Sequence, residues 1–234
     1  MQHEVMAEAI RKCFIFSAAD RENIDRIAGA SRIVRFHRAE MLFATGDAAD
    51  GLRIVLSGLV RIWIANEDGK ELTLSLLEPG DPFGEIALLD GLPRTASATG
   101  IESGECLFLP KRVVDDLLDK DPTFTRHIVQ LLCEILRRNN DVLGGFAFHG
   151  LDARLARVIF DLATAHGVTK ADNVHLIRKF SQTDLGQMLG VTREAVNKRL
   201  MSMVHDGLVQ MAEGHIVVTD MDGLRERGAG ATVA

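Results

Sequence analysis

Residues 83 to 96 read FGEIALLDGLPRTA. Within them, Ile86-Ala87-Leu88-Leu89 is an apolar run that can form little more than one helical turn. A helix that short begins with backbone N–H groups lacking partners, and its dipole makes that end attractive to an anion. Arg94 follows and can fold back to meet the same anion with a planar fork of donors. Glu85 is then a carboxylate left over to hold a hydroxyl. The stretch predicts a small phosphate cradle. The plain alternative is an Arg94–Glu85 pair across an ordinary turn, which contributes little at a surface.

The order G-E-aliphatic-A-L-aliphatic-x-x-x-P-R-[ST]-A, from Gly84 to Ala96, resembles the phosphate-binding cassette of cyclic-nucleotide-binding domains. That resemblance implies a cyclic nucleotide, cAMP or cGMP, held by Phe83, Gly84, Glu85, Ile86, Ala87, Arg94 and Thr95.

The chain has 234 residues, enough for two domains with a core in each. Its net charge is −6, so a nucleic-acid partner requires a local basic patch. Cys13, Cys106 and Cys133 are widely spaced, which disfavours a disulfide framework, a zinc site or an iron–sulfur cluster. MQHEVMAEAIRK lacks the apolar core of a signal peptide, and no apolar run reaches membrane-spanning length. A cytoplasmic protein is expected. There is no G-x-S-x-G, H-E-x-x-H or Walker lysine, and the eight histidines are scattered. No catalytic or metal-ligating residue is assigned, and no enzyme is expected.

Outward from the cradle, residues 4–30 read as one or two short amphipathic helices, with Ser17 and Asp20 as cap or turn residues. Short apolar runs then follow at 33–34, 41–43, 52–56, 59–64, 72–77 and 106–109. Gly46-Asp47, Ser57-Gly58, Asp68-Gly69 and Pro79-Gly80 separate them, a pattern of a double-sheet roll or barrel. Gly58 and Gly80 supply φ > 0 in turns or sit in plain surface loops. Asp68-Gly69 signals a hairpin.

A long helix starts at Asp121-Pro122. Ile128, Leu131, Leu132, Ile135, Leu136, Val142, Leu143 and Phe146 recur at three- and four-residue intervals. Its stripes can cover its own barrel, pair with a second copy over residues 121–146, or do both on different faces. Asn139 and Asn140 interrupt the stripe. They set dimer register, face solvent, or meet a ligand trapped between barrel and helix. Gly144-Gly145 and Gly150 mark a hinge and domain boundary.

A helix from Asp152 to Ala165 and a strand from Val174 to Ile177 lead to FSQTDLGQMLGVTREAVNKRLMSMVHDGLV. Ser181 caps one helix, Gly190 makes a turn, and Thr192 caps a second helix with Val196, Leu200 and Met203 inward. Two short helices about a glycine turn predict a helix-turn-helix; Leu208-Val209 and His215 to Val218 would form its wing. Arg193, Glu194, Asn197, Lys198 and Arg199 face outward, with Arg178 and Lys179 upstream. For a lone helix a solvated mixed-charge face is the default; here the cluster makes a local basic patch suited to phosphates.

T-R-E-x-V-x-[KR] resembles the recognition helix of the Crp/Fnr family, and with the cassette the likeness spans about residues 10–220. The resemblance implies an α+β fold in four parts. A cyclic-nucleotide-binding β-roll of jelly-roll type with flanking helices occupies 1–119, and a dimerisation helix with hinge occupies 120–149. A winged helix-turn-helix follows at 150–226, then a disordered tail at 227–234. It implies a homodimeric, effector-responsive transcription regulator on double-stranded DNA, with RNA polymerase as a further partner. By position, the loop at Thr169 to Asn173 would contact the polymerase. Arg193 would read guanine and Glu194 accept from a cytosine amino group. Lys198 stands where relatives commonly have arginine and lacks the planar fork. Thr192, Ser181 and Gln182 would contact phosphates. Thr95 is the residue type that cGMP-binding relatives use toward the guanine amino group, and an asparagine amide offers a donor and an acceptor. Binding of both cAMP and cGMP is therefore expected. The alternative is a family member answering haem or redox state, or no ligand.

Overall fold

The computed structural model describes residues 2–171 and 173–229. The chain divides into two compact units, one of residues 1–64 and 74–137, the other of 65–73 and 138–234.

The first unit opens with α1 (Gln2–Lys12), a 3₁₀ turn (Phe14–Phe16) and α2 (Arg21–Ala30). Asp20 caps α2 by accepting from the Asn23 N–H at 2.8 Å, as its residue type predicts. The sheet comprises β1 (Arg32–Phe36), β2 (Met41–Phe43), β3 (Gly51–Ala65), β4 (Glu71–Leu77), β5 (Pro82–Phe83) and β6 (Ser97–Pro110). Strand order is β1-β6-β3-β4, with β2 on β6 and β5 on β3. The expected β-roll is present.

β3 departs from expectation. Ser57-Gly58 was predicted to end one strand and begin another, yet β3 runs through them with shifts of register against β6. Gly58 takes φ +81°, and a Cβ there would stand 2.8 Å from the Ser103 carbonyl oxygen. The glycine permits a bulge that bends the strand without ending it. β6 also extends beyond the predicted 106–109, because its first half is held by pairing rather than by an apolar pattern.

Alternation along β3 separates two cores. Leu52 and Ile54 join the helices, with Ile10, Ile27, Leu107 and Leu117. Val55 and Val60 face the interior of the roll, with Phe36, Phe83 and Cys106. Arg53 shares the parity of Val55.

α3 (Ile86–Asp90) and α4 (Lys111–Lys120) precede α5 (Pro122–Phe148). On α5, Phe124, Ile128 and Leu131 are buried in the helical core, with Leu132 and Ile135 packed against it. Val129, Leu136 and Leu143, seven residues apart, are 53%, 60% and 65% exposed. The helix thus carries two apolar faces. Gly144-Gly145 does not end it: α5 continues to Phe148, and Gly150 instead caps α6 (Leu151–His166).

In the second unit, α6 buries Leu155, Ile159 and Leu162. β7 (Gly167–Lys170) and β8 (Asn173–Leu176) form a hairpin, so most of the predicted Thr169 to Asn173 loop is strand. α7 (Gln182–Leu189), α8 (Arg193–His205), β9 (Val209–Ala212), β10 (His215–Val218) and α9 (Met221–Ala229) complete it. The sheet order is β7-β8-β10-β9, with the wing formed by β9 and β10 as predicted.

α9 corrects the expected tail at 227–234: residues 227–229 are helical, and 230–234 lie outside the described residues. Arg227 donates to both carboxylate oxygens of Asp152, at 2.6 and 3.2 Å, and to Asp206 and Ser202. These charge-assisted bonds tie α9 to α6 and to the end of α8. Arg227→Ala is expected to lower the melting temperature of the protein by about 4–8 °C for each kcal/mol lost in a unit of this size, measured by thermal unfolding. Arg225→Ala, an exposed arginine on the same helix, should leave it nearly unchanged.

Candidate functional site

The sequence-predicted cradle assembles in the first unit around Arg94. Its backbone is fixed by two bonds: Arg94 N–H donates to the Asp47 carbonyl and Gly46 N–H to the Arg94 carbonyl, both at 2.8 Å. The side chain, 2% exposed, is an arginine inside a protein. Its Nη2 donates to Asp50 Oδ1 at 2.8 Å and to the Gly51 carbonyl at 3.0 Å, and its Nη1 donates to the Gly84 carbonyl. Its Cζ lies 4.4 Å from the Phe43 ring centre, a cation–π contact. Nε is buried with no hydrogen-bond partner. A buried guanidinium N–H left open is costly, and an anionic oxygen is the acceptor it suits. The ion-pair partner is Asp50, so the simple turn pair with Glu85 is not what holds Arg94.

Gly84 takes φ +85°, and a Cβ on it would meet Arg94 Nη1 at 2.8 Å. The glycine lets the guanidinium approach the backbone at the entrance to α3. Gly84→Ala combines a strained φ with that clash, and is expected to weaken effector binding tenfold or more by calorimetry. Glu85 is buried, and burial pushes its carboxyl above the ordinary value, against the pull of its own and Gly84's N–H groups and the Arg94 charge. Phe83 and Ala87 are buried beside it, Ile86 is half-buried, and Thr95 is exposed next to Arg94.

Two residues of this cluster escaped the sequence reading. Asp50 accepts from Arg53 through both oxygens, at 3.0 and 2.9 Å, as well as from Arg94. Arg53 is buried, its guanidinium 5.3 Å from the Phe43 ring centre and 5.0 Å from that of Phe108. Burial raises the Asp50 carboxyl, but the two arginines outweigh it and hold it below its ordinary range. Arg94 is pulled down by burial and by the charge of Arg53, and supported by Asp50. A charged residue within the apolar run Leu52 to Leu56 was the available signal.

Asn139 and Asn140 belong to the second unit, on α5, and both are exposed. Each stands between Leu136 and Leu143 at helical spacing.

The second candidate site is the α7–α8 pair. Ser181 and Asp184 form a reciprocal capping box on α7. Gly190 turns the chain at φ +62°, and Thr192 caps α8 by accepting from Ala195 N–H at 3.3 Å. Val196, Leu200 and Met203 are fully buried, which fixes the rotation of α8. Thr192, Arg193, Glu194, Asn197, Lys198 and Arg199 are exposed as expected. Gln182 donates to Asn197 across the two helices at 3.0 Å. Glu194 is held below its usual range by its own backbone N–H and the Thr192 hydroxyl, so it stays an acceptor. Met201, also exposed, extends the Glu194–Lys198 face by another turn. Its apolar type hid it among inward residues in the sequence.

A β-roll with a buried arginine in its cassette, followed by a winged helix-turn-helix, defines an effector-binding DNA-reading protein. Comparison with known proteins agrees in both halves: residues 33–121 match the cyclic nucleotide-binding domain, and 153–227 the Crp-like helix-turn-helix domain. The chain belongs to the Crp/Fnr family of transcription regulators. It is 28% identical over 222 residues to a CRP-like cAMP-activated global transcriptional regulator of Mycobacterium tuberculosis, covering 95% of this chain and 99% of the relative. It is 27% identical to the cyclic AMP receptor protein of Thermus thermophilus, covering 91% and 95%. Among solved structures it resembles the c-di-GMP-responsive regulator CLP of Xanthomonas campestris, with TM-score 0.76, 22% identity, and 85% and 99% covered. Among the described residues no helix is long and apolar enough to cross a membrane.

Proposed function

We propose that this regulator answers a cyclic nucleotide, with the phosphate held at Arg94. The buried Arg94 guanidinium with its open Nε, beside Gly84 and Glu85, carries this reading. A cyclic phosphodiester supplies the acceptor that Nε lacks, and Glu85 can accept from the ribose hydroxyl. Phe83, Ile86 and Ala87 line the cassette around them. The regulator acts as a homodimer through the exposed row Val129, Leu136 and Leu143 of α5, at the seven-residue spacing of a two-stranded seam. Thr95 discriminates the base, and its hydroxyl, both a donor and an acceptor, admits both cAMP and cGMP.

Two α8 helices about 34 Å apart would then read a near-palindromic site. Arg193 and Glu194 read base edges, with Asn197 and Lys198 beside them; Thr192, Ser181, Gln182 and Arg199 hold phosphates. RNA polymerase is the further partner, and no catalytic step is assigned to the chain. A near-complete switch requires the effector to prefer the competent state by about 5.5 kcal/mol.

Calorimetry with cAMP, cGMP and cyclic di-GMP tests the effector. Binding of the two mononucleotides within about one order of magnitude is expected. A cGMP affinity several orders weaker would sink the dual response, and no binding of either mononucleotide would sink the cyclic-nucleotide reading. DNA-site selection with and without each nucleotide tests the coupling.

A further inference from the structure

The arginine that faces the phosphate is not alone. Arg53, Asp50 and Arg94 form a chain of alternating charge over one aromatic ring, that of Phe43. Asp50 is the exposed member, at 52%, and the two guanidinium groups are 10% and 2% exposed. An arginine grips an anion best through the parallel N–H groups of Nε and Nη2. On Arg94 the Nε half of that edge is open, while both hydrogens of Nη2 are taken, one by Asp50 and one by the Gly51 carbonyl. The Asp50 carboxylate is thus one of the two acceptors on Nη2, the nitrogen that a bidentate anion would share with Nε. Once released, the carboxylate would repel the incoming anion unless another cation neutralised it. Arg53 does so, through both oxygens, and its position is fixed by Phe43 and Phe108.

We propose that Arg53 is a positioning residue for effector binding: it retains Asp50 while Arg94 exchanges that carboxylate for the ligand's phosphate. The proposal rests on the cyclic-nucleotide reading above. Asp50 is then an internal competitor of the effector, and Arg53 sets how firmly it competes. Without Arg53, Asp50 has Arg94 as its remaining arginine partner in this cluster, and the pair tightens against the ligand.

The experiment is a mutant cycle read by calorimetry with cAMP and cGMP on the full chain. Arg53→Met is expected to weaken binding about tenfold or more. Asp50→Asn should strengthen it severalfold, since a neutral amide competes less. The double variant should recover wild-type affinity or better, a rescue that simple damage to the roll cannot produce. Arg53→Lys, which keeps the charge but not the fork, should fall between wild type and Arg53→Met. An unchanged affinity in Arg53→Met overturns the proposal, as does a double variant as weak as Arg53→Met. Should Arg53→Met fail to fold, Asp50→Asn decides alone: unchanged or weaker binding overturns the proposal. No binding of either nucleotide by the wild-type chain overturns the cyclic-nucleotide reading and the proposal with it; binding that these variants leave untouched overturns only the proposal.

Discussion

Arg94→Ala is expected to reduce cyclic-nucleotide affinity by a factor of about 10² to 10⁴. Two hydrogen bonds from a charged donor, each worth about 1.5–3 kcal/mol, account for that range. Calorimetry measures it, and fluorescence anisotropy with target DNA measures its consequence. DNA binding should lose its dependence on the nucleotide while ligand-free binding stays as in the parent. The variant should still fold, because Asp50 keeps both bonds from Arg53 and Glu85 keeps those from its own and the Gly84 N–H groups. If nucleotide-dependent DNA binding survives in Arg94→Ala, the effector site lies elsewhere.

The second large effect is expected at the reading face. Arg193 and Glu194 stand in the exposed first turn of α8, whose rotation is fixed by three fully buried residues. A good base contact discriminates by about 1–3 kcal/mol, and a two-fold site counts it twice, giving about 2–6 kcal/mol per variant. Arg193→Ala and Glu194→Ala should each lose preference at one symmetric pair of positions, measured by anisotropy on singly substituted target sites. Lys198→Ala should instead weaken binding more evenly across sequences and shallow its salt dependence. A uniform loss in Arg193→Ala, with no change in site preference, would assign that residue to the backbone.

Much of this architecture was legible because local chemistry and tertiary role agree. Ser181, Asp184, Gly190 and Thr192 are read as caps and a turn, and each performs that office. The cassette was legible as a string because its residues are contiguous. Asp50 and Arg53 were not, since they reach Arg94 across more than forty residues, brought there by strand pairing and by the Arg94 backbone bonds to Gly46 and Asp47. The bulge at Gly58 was hidden because a glycine with positive φ serves equally in a turn or within a strand. The half of β6 without an apolar pattern was hidden because its neighbours, not its own residues, make it a strand.

The tie between Arg227 and Asp152 has a consequence of timing. The two residues are 75 positions apart, and α9 lies so close on α6 that a side chain at Gly228 would press on the Arg157 backbone at 3.1 Å. A chain still emerging from the ribosome can form the roll early, since domains fold as units from the N-terminus. The reading head must wait for almost its last turn of helix before its first helix is latched. A nascent or prematurely ended chain would therefore sense before it could read, and an unfinished copy would be a poor occupant of the target DNA.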